Sequence, residues 1–279
     1  MMHNQKVLPL FLAVSTITLV CANTMRAMDS QIIARPFSTH ENILDFLFFE
    51  PLGYTRASEE NEQFIRNIQH EMGMDSWNIA TRRLSNYAMR LVGRENTFVI
   101  STPGLHYLFI SQDWFDSLSQ QERRFLIGHE LSHLQKYHTL KRIGAGIVLS
   151  YTTGLLSDLL TSDSSPETKT MINRLTTVGT LIATAYLSRC QEKEADLNAA
   201  RSLHAAAGGI SLFDRFQREC VDPESRFALR RIITTINKIP GTLFYATHPS
   251  LETRKNYLEK EVNREDELTS PSLLAHGTV

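Results

Sequence analysis

The sequence predicts a mostly α fold with a small β-hairpin or sheet (α+β), built around two helices that carry histidines and carboxylates at one-turn spacing. Three observations predict it. Ser119 and Glu122 form a capping box ahead of Phe125-Leu126-Ile127, so a helix starts near residue 120 and runs to about 140 through His129-Glu130-Leu131-Ser132-His133. The segment Ser188-Arg189-Cys190-Gln191-Glu192-Lys193-Glu194-Ala195-Asp196 places Glu192 and Asp196 at i and i+4 of a second helix. Two β-rich runs, 97–101 and 106–110, flank Thr102-Pro103-Gly104 and read as a hairpin.

Taken along the chain, the elements follow in order. Lys6 precedes the apolar run Val7 to Val14 and then Ile17 to Val20, with small-residue site Val20-Cys21-Ala22 after it. Residues 1–22 therefore read as a secretory signal peptide. The competing readings are an uncleaved anchor and a lipidated Cys21, the latter disfavoured by Val20 before the cysteine. Residues 23–94 form an N-terminal helical region. It opens on a loose lead (23–40) and a short apolar run, Ile43 to Phe49, ended by Pro51. Ser58 then opens an acidic first turn, and Phe64, Ile65, Ile68 and Met72 keep helical spacing up to Gly73. Trp77, Ala80, Leu84, Tyr87 and Leu91 fit a second helix closing at Gly93.

Residues 95–264 form the domain that contains the motifs, and 265–279 read as a disordered tail. Between the two motif helices, the apolar stretches 143–160 and 175–187 are joined by the polar turn Thr161 to Pro166. Asp158 interrupts the first stretch, and Asn173-Arg174 leave the second about 13 residues, short of the roughly 20 that span a bilayer. A buried or peripheral helical hairpin is preferred to a membrane-spanning one, with the frequent Gly, Thr and Ser suited to close packing. Gly208-Gly209 reads as the end of the second motif helix. Helices follow at 210–219 and 224–238, and Ser250 caps a last one through Val262.

Composition sets limits on function. With 279 residues the chain can bury a sizeable core. Its 42% hydrophobic and 21% charged content is that of a globular protein. A net charge of −1 gives no electrostatic case for nucleic acid. Cys190 and Cys220 could pair in an oxidising compartment, but two thiols make no framework. Cys190 faces about 200° around the helix from Glu192 and reads as a buried packing residue.

The chemistry lies in the motifs. Two histidines at i and i+4 lie one turn apart on one helix face, where their imidazoles can take two corners of a tetrahedral Zn²⁺ site. Glu130 follows the first histidine and sits beside the metal, where a general base for an activated water belongs. A catalytic site needs a third protein ligand and an open position. Glu192 would supply the ligand, and Asp196 would accept a hydrogen bond from the distal nitrogen of a ligating histidine. Glu194 competes with Glu192 but points about 200° away. His106, in a predicted strand with no partner spacing, reads as core or surface.

The order HELSH at 129–133, SRCQEKEAD at 188–196 and His248-Pro249-Ser250-Leu251-Glu252-Thr253-Arg254 resembles the HtpX-like and CAAX prenyl endopeptidase-like zinc metallopeptidases over roughly residues 95–260. His138, nine residues after His129, matches a histidine common in that family. A metzincin would need its third histidine where this chain has Thr139. The resemblance implies a zincin-like domain binding one Zn²⁺ through His129, His133 and Glu192. It implies Glu130 as general base, His248 at the oxyanion and Asp196 behind the ligands. Arg254 could hold the His248 loop through a carboxylate, with Asp196 a conceivable partner.

The expectation is thus a zinc metalloendopeptidase acting in the bacterial periplasm or another extracytoplasmic space. Its substrates would be unfolded or envelope proteins, and it would make at most a peripheral contact with the membrane. The alternatives are a membrane-embedded endopeptidase, which needs 143–187 to insert, and a chaperone-like binding protein with little turnover.

Overall fold

The computed structural model describes residues 54–84, 97–102, 105–161, 164–219 and 248–269. The expected signal peptide, the 43–49 run, the 224–238 helix and Cys220 lie outside them. The described residues divide into two compact units: Leu140–Thr184 is one, and the residues up to Thr139 and from Ala185 are the other.

The larger unit begins with β1 (Thr55–Arg56) and helix α1 (Glu59–Glu71). Ser58 caps α1 by accepting from the Asn61 amide, and Gly73 at φ 68° takes the left-handed position that closes it. Strands β2 (Ile79–Arg83), β3 (Thr97–Thr102) and β4 (Leu105–Ile110) complete a four-stranded sheet of order β1-β2-β4-β3. The predicted hairpin is β3–β4, antiparallel from Thr97↔Ile110 to Thr102↔Leu105.

The helix expected from Trp77 onward is not formed over Ile79–Arg83, which is strand; its 85–93 part lies outside the described residues. Tertiary pairing overrides the helical spacing. β2 bonds parallel to β4 along its whole length, from Ile79↔His106 to Arg83↔Ile110, and antiparallel to β1 at Arg82 and Arg83. Side chains alternate across the sheet. Leu108 and Ile110 of β4, with Ile79 packed beside them, enter the main core. Tyr107 and Phe109 join Ala80 and Leu84 on the opposite face.

After α2 (Gln112–Ser117), helix α3 (Gln120–Gln135) starts where the capping box predicts. Ser119 Oγ accepts from the Glu122 amide, and Glu122 Oε2 accepts from the Ser119 amide at 2.7 Å. The helix does not run on to 140: Tyr137, at φ 53°, breaks it before α4 begins at His138.

α5 (Pro166–Leu203) ends at His204, φ 48°, so Gly208-Gly209 does not close it. Both glycines lie inside α6 (Ala206–Glu219). They are required by close approach: a Cβ on Gly208 would stand 2.3 Å from the Gln121 carbonyl oxygen, and one on Gly209 2.6 Å from the Phe125 ring. Ser211 and Arg215 of α6 reach back to Glu122, tying α6 to the start of α3. Ser250 caps α7 (Leu251–Thr269) as expected, accepting from the Thr253 amide, and the helix continues past Val262 into the segment read as tail.

The smaller unit is the expected helical hairpin, made of α4 (His138–Thr161) and α5 up to Thr184. Ser157 Oγ donates to Asn173 Oδ1 at 2.5 Å across it. Close packing through its glycines does not occur: a Cβ on Gly144, Gly146, Gly154 or Gly179 would meet nothing within 4 Å. Nor is the hairpin buried, since Ile147, Leu159, Leu175 and Ile182 are each at least 60% exposed. Thr153, Thr180 and Thr184 return their hydroxyls to carbonyls one turn earlier. Among the described residues, no helix is long and apolar enough to cross a membrane.

Two predictions follow from this packing. Gly208→Ala should cost about 1–3 kcal/mol in urea denaturation, because a backbone carbonyl cannot yield and the clash outweighs a helix-propensity gain of about 1 kcal/mol. Burial would raise the Glu122 carboxyl, but hydrogen bonds from Ser119, Ser211 and Arg215 bring it below 4.5. Its contribution, about 1–2 kcal/mol, is therefore complete above pH 4.5 and fades as pH falls through the lower folded value. Glu122→Ala should accordingly destabilise the protein at pH 7, with the difference from wild type shrinking in unfolding curves below pH 4.5.

Candidate metal centre

Three side chains from two helices converge in the larger unit. α3 presents His129 and His133 one turn apart, and α5 presents Glu192; all three are buried. The helices approach closely because small residues meet between them. Gly128 faces Ala199, whose Cβ would lie 3.1 Å from an added Gly128 Cβ, and Ala195 and Ala199 are fully buried. His129 Nε2 and His133 Nε2 are 3.1 Å apart. Glu192 Oε2 lies 3.6 Å from the first, and its Oε1 lies 3.5 Å from the second.

These donors fit a metal ion. Atoms bound about 2.0–2.1 Å from a tetrahedral Zn²⁺ stand about 3.3–3.4 Å apart, a value that falls within the observed separations of 3.1–3.6 Å. Protonation points the same way. His129 Nδ1 is 2.8 Å from Asp196 Oδ1, and a carboxylate can only accept, so Nδ1 carries the hydrogen. Neutral His129 then turns a bare Nε2 lone pair toward His133 and Glu192. Lone pairs and a carboxylate facing one another in a buried site repel unless a cation stands between them.

Asp196 is fully buried and is the anchor behind the ligands. Arg254 of α7 grips it with two bonds, Nη2 to Oδ1 at 2.6 Å and Nε to Oδ2 at 2.7 Å, and the Tyr257 hydroxyl donates to Oδ2. The Arg254 guanidinium also lies 4.3 Å from the centre of the Phe213 ring. Burial alone would raise the Asp196 carboxyl, but the Arg254 charge and the His129 and Arg254 hydrogen bonds hold it well below the usual carboxylate range. Burial likewise opposes the charge on Glu192. A hydrogen bond from His248 and the fields of His129, His248 and His133 outweigh it and bring that carboxyl down to about 2. Burial disfavours the charged imidazole of His129, while Asp196 and then Glu192 raise its pKa above the ordinary value.

His248 Nδ1 lies 3.0 Å from Glu192 Oε2, with its side chain half exposed. Glu130 is buried, next to His129 on α3. Arg254 takes Asp196 as its partner. Glu194 stays out of the ligand cluster and meets His138 Nε2 at 3.2 Å. His106 sits in β4 against Trp77, apart from the cluster. Cys190 does face away from Glu192, but that side of α5 is solvent, so it is exposed and not a packing residue. Tyr257 was not legible from the motifs; its only signal is its place one turn after Arg254 on the helix that Ser250 caps.

Replacing Arg254 with Met should strand a buried carboxylate and cost about 3–5 kcal/mol in chemical denaturation. Adding Asp196→Asn to Arg254→Met should recover part of that loss, because the uncompensated charge is then gone.

No curated protein and no solved structure matches this chain. A family model does: that of peptidase family M48 matches residues 58–262, which contain α3, the whole of α5 and every site residue described above. Membership implies a metallopeptidase, in keeping with a buried cluster of two imidazoles and a carboxylate that could hold a metal. The chain belongs to peptidase family M48.

Proposed function

We propose that this protein is a zinc-dependent endopeptidase of extracytoplasmic protein quality control. The observation that carries the reading is the convergence of two imidazole Nε2 atoms and the Glu192 carboxylate at tetrahedral spacing. Two histidines and one carboxylate are the donor set of catalytic rather than structural zinc, since they leave a coordination position open. His129, His133 and Glu192 would hold the ion. When bound, zinc supplies Lewis acidity to the scissile carbonyl and to water.

The chain's own residues do the rest. Glu130, buried beside His129, takes the proton from the attacking water and delivers it to the leaving amine nitrogen. His248 is tethered to Glu192 through Nδ1 and half exposed, so in its protonated form it can offer Nε2–H to the oxygen that gains charge. β3 is one of the two outer strands of the described sheet and packs against α3. An extended peptide can add to such an edge through main-chain hydrogen bonds, with little demand on its sequence, as an unfolded substrate requires. Residues 1–22 would direct export to the periplasm or an equivalent compartment. The exposed apolar side chains of the α4–α5 hairpin support peripheral contact with a membrane over insertion.

Degradation of an unfolded protein by the purified, zinc-loaded chain tests the reading against its Glu130→Gln variant. Both should bind one zinc per chain, and the variant should lose at least about 10²-fold in rate. Equal cleavage by the two would remove Glu130 from the mechanism. Zinc binding without turnover in either would favour the chaperone-like alternative.

A further inference from the structure

The geometry points to His138 and Glu194 as a relay that orients His133 for the metal, a role parallel to that of Asp196 behind His129. The inference rests on the zinc reading above and adds two positioning residues to it.

His138 is fully buried, and its two ring nitrogens face two different partners. Nδ1 lies 2.8 Å from His133 Nδ1, and Nε2 lies 3.2 Å from Glu194 Oε2. Ionised Glu194 only accepts, so His138 donates from Nε2. A neutral His138 then has a bare Nδ1, which must accept from His133 Nδ1–H. That leaves His133 with its lone pair on Nε2, the atom that faces His129 Nε2 and Glu192 Oε1. One carboxylate thus selects the ligating tautomer of His133 through an intervening imidazole.

The local backbone is built for this contact. α3 stops at Gln135 and α4 starts at His138, a break made by Tyr137 at φ 53°. A tyrosine in the left-handed region costs free energy unless its surroundings hold it there. The Tyr137 ring packs 5.6 Å from that of Trp77, and its amide donates to the Leu134 carbonyl. The turn brings the His138 ring to 4.9 Å from that of His133, edge to face.

The two supports differ. Asp196 is fully buried and clamped by Arg254, whereas the Glu194 side chain is 47% exposed. Both ride on α5 beside Glu192, so one helix carries a ligand and the carboxylate support for each histidine. The weaker, solvent-reachable support belongs to His133.

The test reads zinc retention by titration with a chromogenic chelator, in the full-length protein and without reference to turnover. His138→Phe keeps bulk and removes the acceptor; it should weaken zinc binding about 10–100-fold. Glu194→Ala, at a half-exposed position, should weaken it less but measurably. Glu194→Gln should restore most of the affinity, because its amide oxygen still accepts from His138 Nε2–H. Combining Glu194→Ala with His138→Phe should add nothing beyond His138→Phe, since the relay is already cut. Zinc affinities of His138→Phe and Glu194→Ala within twofold of wild type would overturn the relay and leave the metal centre intact. Additive losses in the double variant would reduce both residues to packing and also overturn it. Failure of the wild type itself to retain zinc would overturn the metal reading and the relay with it.

Discussion

The whole site depends on one buried carboxylate. Asp196 rides on α5, receives the His129 ring from α3, and is gripped by Arg254 and Tyr257 from α7. Three helices distant in sequence meet at two oxygen atoms. A lone carboxylate in that position would be prohibitive; with three donors it becomes a fixed point that admits one arrangement of its neighbours. Glu192 lies one turn before Asp196 on the same helix, so the anchor that orients His129 also sets where Glu192 points. His248, three residues before the start of α7, is delivered to Glu192 by the helix whose Arg254 holds Asp196.

The packing around this anchor serves the same end. Small residues decide how near the helices come: Gly128 against Ala199 for α3 and α5, Gly208 against the Gln121 carbonyl for α3 and α6. Glu122 closes the N-terminus of α3 and also receives Ser211 and Arg215 of α6, so the start of the histidine-bearing helix is held from two sides. The sheet contributes an edge. Its inner strands, β2 and β4, are buried on both faces, and of the two outer strands among the described residues β3 lies beside α3.

The hairpin of α4 and α5 follows other rules. Its glycines meet nothing, the hydroxyls of Thr153, Thr180 and Thr184 are satisfied within their own helices, and its large apolar side chains are exposed. Apolar composition alone cannot distinguish such a surface from a buried one, because both exclude charge from the same positions. The expectation of close packing there came from composition, and the four glycines of the hairpin have no neighbour to pack against.

What the sequence determined by itself is what local rules govern. The capping box at Ser119 and Glu122, the one-turn spacing of His129 and His133, that of Glu192 and Asp196, and the β3–β4 hairpin all follow from neighbours within a few residues. The tertiary structure decided everything whose partner is remote. Ile79–Arg83 is a strand because β1 and β4 flank it, although its spacing suits a helix. Gly208-Gly209 sits inside a helix because Gln121 and Phe125 press on it, although a glycine pair suits a helix end. Tyr257 joins Asp196, His138 bridges His133 to Glu194, and Cys190 faces solvent, none of which any spacing along the chain encodes. Periodicity records which face of an element a residue occupies. Only the packing of elements, through burial and the need to pair buried polar groups, determines what that face meets.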